Sequence, residues 1–252
     1  MSQYFLPVKK LKEKPYTNIL GFPKSNKRQI ESRLSEMQKL GIKSVAFDGP
    51  MEVDGMKIIG KGYVGIVILA KIQNKIFALK IRRTDSPRKT MRDEAVLLQI
   101  ANKAGVGPRL IKHSKNFLVM EFIKGKKIID WVNDSNRKNS KDFQTVIRKI
   151  LLDCFYLDQT GLDHGELSVL DKHVLISGKR PTIIDFESAS VKRKTSNVSS
   201  AIQAILIGTG LARIIRKKIQ VPRKDKMIKL VRDYKKLKTQ ESFDQILFEL
   251  KL

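Results

Sequence analysis

With one cysteine in 252 residues, Cys154, the chain cannot form an internal disulfide. Its neighbours Ile150, Leu151, Phe155 and Leu157 put that thiol among apolar side chains on a helix, where it packs as a small hydrophobe. A reducing, cytoplasmic setting is expected. Long apolar runs are missing as well: the most apolar stretch, residues 201–215, is interrupted by Gln203, Thr209 and Arg213. The first residues, Met1-Ser2-Gln3-Tyr4, lack a charged segment leading into an apolar core. Neither export nor a membrane span is expected. Acidic residues are scarce, with 25 Asp+Glu against 51 Lys+Arg and a formal net charge of +26. Thermophile surfaces are also rich in lysine, but they balance it with glutamate in ion-pair networks. Here the balance is absent, so the surface attracts polyanions, and RNA or a ribonucleoprotein is the partner to look for.

A hydrophobic fraction of 41% over this length suffices for one large core or two modest ones. Residues 1–26 hold Pro7, Pro15 and Pro23 among lysines without periodicity, which predicts an irregular, poorly ordered basic arm. Ile30, Leu34, Met37 and Leu40 recur at helical spacing before Gly41, predicting a helix over 29–40. Between 44 and 82 the pattern turns β-branched and alternating, with strands at 44–47, 57–59, 65–70 and 76–81 and Asn74 in a hairpin turn. Helices are expected over 88–104, 142–159, 198–211, 224–237 and 242–250, a strand over 116–122 and a hairpin around Gly178. A small β-rich part thus precedes a helical part.

Gly60-Lys61-Gly62-Tyr63-Val64-Gly65-Ile66-Val67 lies between two strands, which disfavours a dinucleotide fingerprint and makes the segment a hairpin lid. Glycines at 60, 62 and 65 let backbone N–H groups approach phosphate oxygens. On the next strand the period of two puts Ala78 and Lys80 on one face, and Phe77, Leu79 and Ile81 on the other. That face suits a flat base beside Ala78 and phosphates at Lys80; the plainer alternative is a solvent-facing lysine at a strand end. Glu94 lies on a helix expected to turn Val96, Leu97 and Ile100 inward, where it could hold Lys80 extended; Asp93, or a mere surface carboxylate, is the alternative.

The order of the glycine loop, Lys80 in Phe-Ala-Leu-Lys, Glu94 in Arg-Asp-Glu-Ala-Val-Leu-Leu, and Phe117-Leu118-Val119-Met120-Glu121-Phe122-Ile123-Lys124-Gly125 resembles the small lobe and hinge of a protein kinase. Similarity is greatest to archaeal RIO-like kinases and to the kinase subunit of the KEOPS tRNA-modification complex, over about residues 55–190. The resemblance implies an α+β, bilobal kinase-like fold: a basic arm and helix over 1–50, a β-rich lobe and hinge over 51–125, and a helical lobe over 126–252. It also implies ATP with Mg2+ or Mn2+ as cofactors. The nucleotide set would be Gly60, Lys61, Gly62, Gly65, Val67, Ala78, Lys80 and Glu94, with Met120 as gatekeeper and Glu121 and Ile123 offering backbone groups to adenine.

Further on, His164-Gly165-Glu166-Leu167-Ser168 resembles the His-Gly-Asp-Leu loop of those kinases, and Thr182-Ile183-Ile184-Asp185-Phe186-Glu187 their metal-binding Asp-Phe-Gly segment. The resemblance makes Lys80, Glu166 and Asp185 the catalytic set. Three departures stand out. Glu166 replaces the aspartate base and moves the carboxylate by about a bond length. The metal-binding asparagine is missing: His173 aligns with it and would suit manganese, while Asp171 offers the oxygen that magnesium prefers. Glu187 stands where glycine is usual, as in small-molecule phosphotransferases of this superfold. His164 is expected to be structural. Asp185 ends an apolar strand, where a bound cation removes the cost of burying its charge.

The segment 188–197 is short and lacks an Ala-Pro-Glu anchor, which argues against broad peptide-directed signalling; its Lys192, Arg193 and Lys194 could face phosphates or simply solvent. The leading expectation is an ATP-dependent Ser/Thr kinase-like phosphotransferase acting on a protein or on itself. A nucleotide-binding pseudokinase or switch on RNA or its processing machinery is the alternative, and a small-molecule kinase a weaker one.

Overall fold

The N-terminal stretch departs from expectation first. The computed structural model describes residues 4–134, 139–208 and 210–252, and from residue 4 to 26 the supposedly irregular arm is built into a core. Strand β1 (Leu6–Pro7) pairs with β2 (Ile42–Ala46), Leu6 opposite Val45. A 3-10 turn (Val8–Lys12) and the short helix α1 (Tyr16–Leu20) follow. Leu6, Val8, Leu11, Ile19 and Leu20 are all buried. Each such side chain contributes about 1.5–3 kcal/mol on burial, which outweighs the lack of local periodicity. The buried Arg33 guanidinium donates to the Leu20 carbonyl, and Thr84 N–H donates to the Phe22 carbonyl at 2.8 Å. Arg33 lies on α2 (Lys27–Lys39), which opens on a capping box: Gln29 N–H donates to Asn26 Oδ1 at 2.9 Å, and Asn26 N–H to Gln29 Oε1 at 3.0 Å.

The chain forms two units, the first holding the described residues up to Val96 with Arg109–Phe122. Its strands β3 (Met51–Val53) and β4 (Met56–Ile58) form a separate hairpin. The main sheet adds β5 (Gly60–Lys61), β6 (Gly65–Ile72), β7 (Lys75–Arg82), β8 (Leu110–His113) and β9 (Phe117–Glu121). Helix α3 (Arg92–Lys103) lies in the chain between β7 and β8. The path is β1-β2-β6-β7-β9-β8 with β5 on β6, antiparallel throughout. Gln73 and Asn74 make the β6–β7 turn, as the sequence predicts, and Gln73 takes φ = 52°.

The second unit holds Leu97–Pro108 and Ile123–Leu252. A three-stranded sheet, β10 (Lys126–Lys127), β11 (Val174–Ser177) and β12 (Arg180–Ile183), includes the expected hairpin at Gly178. Helix α4 (Ile128–Asn133) sends Trp131 Nε1–H to the Gly178 carbonyl at 2.9 Å. The long α5 (Ser140–Gln159) is capped by Asn139 and buries Phe143, Val146, Ile147, Ile150, Leu151 and Cys154. Burial pushes the Cys154 thiol pKa up, so it remains an unreactive packing group.

The single helix expected over 198–211 is instead interrupted. Following the short α6 (Leu170–His173), α7 (Asn197–Ile202) passes into a π turn (Gln203–Ile207), and α8 (Leu211–Ile215) begins afresh. Gly208 N–H closes the π turn on the Gln203 carbonyl at 2.7 Å, and Ile205 and Leu206 stay buried. Helix α9 (Lys224–Leu237) has the predicted bounds, and α10 (Gln240–Glu249) follows its Thr239 cap. Phe243 of α10 stacks on Phe155 of α5 with centroids 4.5 Å apart. Among the described residues no helix is long and apolar enough to cross a membrane.

Candidate functional site

In the first unit the sequence pattern brings Lys80 and Glu94 together. β7 carries Lys80 beside Val67 of β6 and Leu118 of β9, so its stem is enclosed by the sheet. Its ammonium donates to Glu94 Oε1 at 2.7 Å, with the two residues 4% and 3% exposed. Burial of two charges at this separation needs the contact, because either alone would be desolvated without compensation. The inward face of α3 differs from expectation: Glu94, Ala95, Leu98 and Ala101 are buried, whereas Val96 is exposed. The helix turns in the face that carries the ion-pairing carboxylate. Asp93, the competing candidate, is exposed.

The glycine segment is a hairpin, with Gly60 opposite Val67, Lys61 opposite Ile66, and Gly62 N–H donating to the Gly65 carbonyl at 2.8 Å. The absent Cβ of Gly65 is what lets Lys80 pass: a methyl there would stand 3.0 Å from Lys80 Cγ and 2.9 Å from the Ile81 carbonyl oxygen. At Gly60 the corresponding space is open. Phe22 buttresses the hairpin, with Lys61 Nζ 4.7 Å and the Arg83 guanidinium 5.2 Å from its ring centroid. Ala78 faces Met120 across β7 and β9. Glu121 donates its N–H to the Arg109 carbonyl at 2.9 Å, and the Ile123 carbonyl accepts from Gly125 N–H at 3.0 Å.

In the second unit Glu166 and His173 meet. Glu166 immediately precedes a 3-10 turn (Leu167–Val169) that leads directly into α6. His173 ends α6, and its Nε2 comes within 3.5 Å of Glu166 Oε2. The Glu166 side chain is 41% exposed, whereas His173 is buried, and among the described residues its Nδ1 has no hydrogen-bond partner. Asp171, two residues earlier, is half-buried. The His173 carbonyl accepts Ile184 N–H at 2.9 Å and so fixes the residue before Asp185. Asp185 adopts φ = 67°, ψ = 76°, a left-handed conformation sparsely used outside glycine, Asn and Asp.

His164 is structural, as expected. Its Nε2–H donates to the Ile184 carbonyl at 3.0 Å, burial lowers its pKa to about 4, and its ring packs edge-on against Phe186 and His173. It is therefore a neutral spacer. Its own N–H donates to Asn197 Oδ1 at 2.8 Å. Arg193 is bound internally: its Nε donates to Asp163 Oδ2 at 3.0 Å and its Nη2 to the Ser188 carbonyl at 2.6 Å. Gly165 at φ = 89° makes room for that guanidinium, since a Cβ would lie 2.4 Å from Arg193 Nη2. The basic loop is therefore neither simply solvated nor entirely available to phosphate. Sequence spacing gave no sign of the Glu166–His173 or Asp163–Arg193 contacts, because each crosses a turn or joins separate segments.

Among the described residues no three His, Cys, Asp or Glu side chains are gathered closely enough to hold a metal by themselves. The hard oxygens of Asp185 and Asp171 still fit Mg2+ or Mn2+, because in phosphoryl transfer such an ion takes part of its shell from the nucleotide.

Two comparisons bear on this arrangement. An uncharacterized protein of Methanocaldococcus jannaschii is 35% identical over 119 residues, which cover 46% of this chain and 96% of that protein. The family model described as the RIO domain matches residues 71–203, a stretch holding Lys80, Glu94, Glu166, His173 and Asp185. That match spans more than half of the chain, which belongs to the RIO domain family, a group of atypical protein-kinase-like proteins.

Proposed function

We propose that the protein is an ATP- and divalent-metal-dependent phosphotransferase that passes the γ-phosphoryl group to a Ser or Thr hydroxyl on a protein acceptor or on itself. The observation that carries this reading is the buried 2.7 Å ion pair between Glu94 and Lys80, which lies on a strand whose neighbour begins at the glycine hairpin. A lysine that only solubilised the surface would not be enclosed and held by a carboxylate. Lys80 binds phosphate oxygens, Gly60, Lys61, Gly62, Gly65 and Val67 cover the nucleotide, and Ala78 and Met120 line the base, with Glu121 and Ile123 giving backbone groups to it.

Asp185 and Asp171 would hold the divalent metal, which would supply positive charge against the phosphates. His173, the other candidate ligand, has its Nε2 against Glu166 and is assigned to holding that carboxylate. Glu166 orients the acceptor hydroxyl and takes its proton as the oxygen attacks Pγ; the bond from Pγ to the β–γ bridging oxygen breaks, and ADP leaves.

A second reading, a nucleotide-operated switch without transfer, is favoured by the same 3.5 Å Glu166–His173 contact, if it ties up the carboxylate. Radiolabelled ATP with Mg2+ and with Mn2+ separates the two. Label on the protein itself or on a basic acceptor protein, lost in Asp185→Ala and Glu166→Gln, supports transfer. ATP binding with no labelled acceptor under either metal supports the switch.

A further inference from the structure

The family match ends at residue 203, and the charge of the chain concentrates beyond it. Of the 26 residues from 213 to 238, twelve are Lys or Arg, and only Asp225 and Asp233 oppose them. The fold sorts these residues. Helix α9 buries Met227, Leu230 and Tyr234, which leaves Lys229, Arg232 and Lys236 exposed along its outer face. These three span about 10 Å at the helical rise.

Two features make this surface more than a diffuse cationic one. Phe248 of α10 is 79% exposed, and the Lys226–Glu249 ion pair at 2.6 Å fixes its neighbour beside the start of α9. In addition, Arg216 and Lys224 border a cavity of about 190 Å³ whose walls include Leu206, Ile207, Val221 and Met227. The cationic face of α9, the exposed ring on the helix that pairs with its start, and a recess of mixed polar and apolar lining offer the two things an unpaired strand needs, phosphate neutralisation and base stacking.

We propose that α9, the segment leading into it and Phe248 form a binding site for a single strand of nucleic acid. A duplex would use the charge but not the ring or the recess. A membrane surface calls for a continuous apolar face, and the apolar face of α9 is turned into the protein.

The test measures anisotropy of a labelled, mixed-sequence RNA strand of about 20 nucleotides on the full chain across a salt series, with DNA of the same sequence, the RNA duplex and phosphatidylserine vesicles in parallel. Readouts are binding alone, so they are independent of phosphoryl transfer. The triple variant Lys229→Ala/Arg232→Ala/Lys236→Ala should weaken strand binding more than tenfold and flatten the log–log salt slope by about 2, near 0.7 per lost contact. Phe248→Ala should weaken binding about tenfold with the slope unchanged. A triple variant of exposed lysines in the first unit, Lys39→Ala/Lys43→Ala/Lys57→Ala, should change little. Equal loss in that control, equal affinity for duplex, or uptake by vesicles without strand binding would overturn the proposal. Circular dichroism of each variant separates loss of fold from loss of site.

Discussion

The Nε2 atom of His173 stands 3.5 Å from Glu166 Oε2, joining the residue proposed to stand in for an aspartate base to one of the two candidates for the place of a metal-binding asparagine. The two departures from the kinase pattern are thus one local arrangement. Removal of the imidazole should free the longer carboxylate to wander, and misplacement by about 1 Å can cost about a hundredfold in rate. His173→Ala is expected to lower kcat between about tenfold and a hundredfold, with KM for ATP nearly unchanged. Because the pair acts together, Glu166→Gln/His173→Ala should lose no more than Glu166→Gln alone. Additive losses in steady-state kinetics would show that His173 acts elsewhere.

Lys80 and Glu94 enclose each other, so a single substitution strands a buried charge. Lys80→Met should cost about 3–5 kcal/mol of stability as well as transfer. Lost activity in this variant alone therefore cannot identify a phosphate ligand. Lys80→Met/Glu94→Leu should recover most of that stability while remaining inactive. Denaturant unfolding alongside the labelling assay checks both; a double variant that transfers phosphate would refute the role of Lys80.

The two glycines of the hairpin should respond differently. Gly65→Ala forces a methyl against Lys80 Cγ and the Ile81 carbonyl, and should reduce both ATP affinity and thermal stability. Gly60→Ala meets no protein atom, so its melting temperature in the absence of ATP should match the parent. If the nucleotide lies under this turn, its ATP affinity should still fall several-fold by calorimetry. Unchanged affinity in Gly60→Ala would move the phosphates away from that residue.

Asp153, buried on α5 beside Lys149, has its pKa raised from 3.8 to about 6, because desolvation outweighs the lysine contact. The native state thus holds a proton that the unfolded chain has released between pH 4 and 6. Stability from this group is present below pH 4 and lost as pH rises towards 6, by up to about 3 kcal/mol. Asp153→Asn should be more stable than the parent at pH 8 and nearly equal to it at pH 4. Equal stability at pH 8 in chemical denaturation would show that the Lys149 contact compensates fully.

Strand and helix periodicity made Lys80 and Glu94 legible as partners, because each position follows from a repeat of two or 3.6 and the contact needs only that both lie on facing elements. The same logic gave α9 its bounds. It failed at Val96, where the ion pair rather than the apolar count decided which side of α3 turns in. It failed over residues 4–26, whose short elements are held by partners far along the chain, such as Val45, Arg33 and Thr84. Glu166 and His173 were each visible as departures from a pattern, but their contact depends on how tightly the turn between them winds.

Asp158 illustrates how family resemblance and structural integrity can have different borders. Its carboxylate accepts Asn197 N–H at 3.0 Å, Asn197 Nδ2 at 2.8 Å and Val198 N–H at 3.3 Å, all from residues inside the family match. A further donor is the Tyr234 hydroxyl at 2.9 Å, thirty-one positions beyond residue 203, where the match stops. Burial and the adjacent carboxylate push the phenol pKa up, which keeps that proton in place under alkaline conditions. Through Asn197 the same carboxylate steadies the backbone of His164, two residues before Glu166. A fragment trimmed to the end of the family match would leave this buried anion one donor short, at the foot of the loop proposed to carry the chemistry. Helix α9 is therefore more than a carrier of charge: through the Tyr234 hydroxyl on Asp158 it takes part in the hydrogen bonding that holds the backbone two residues before Glu166.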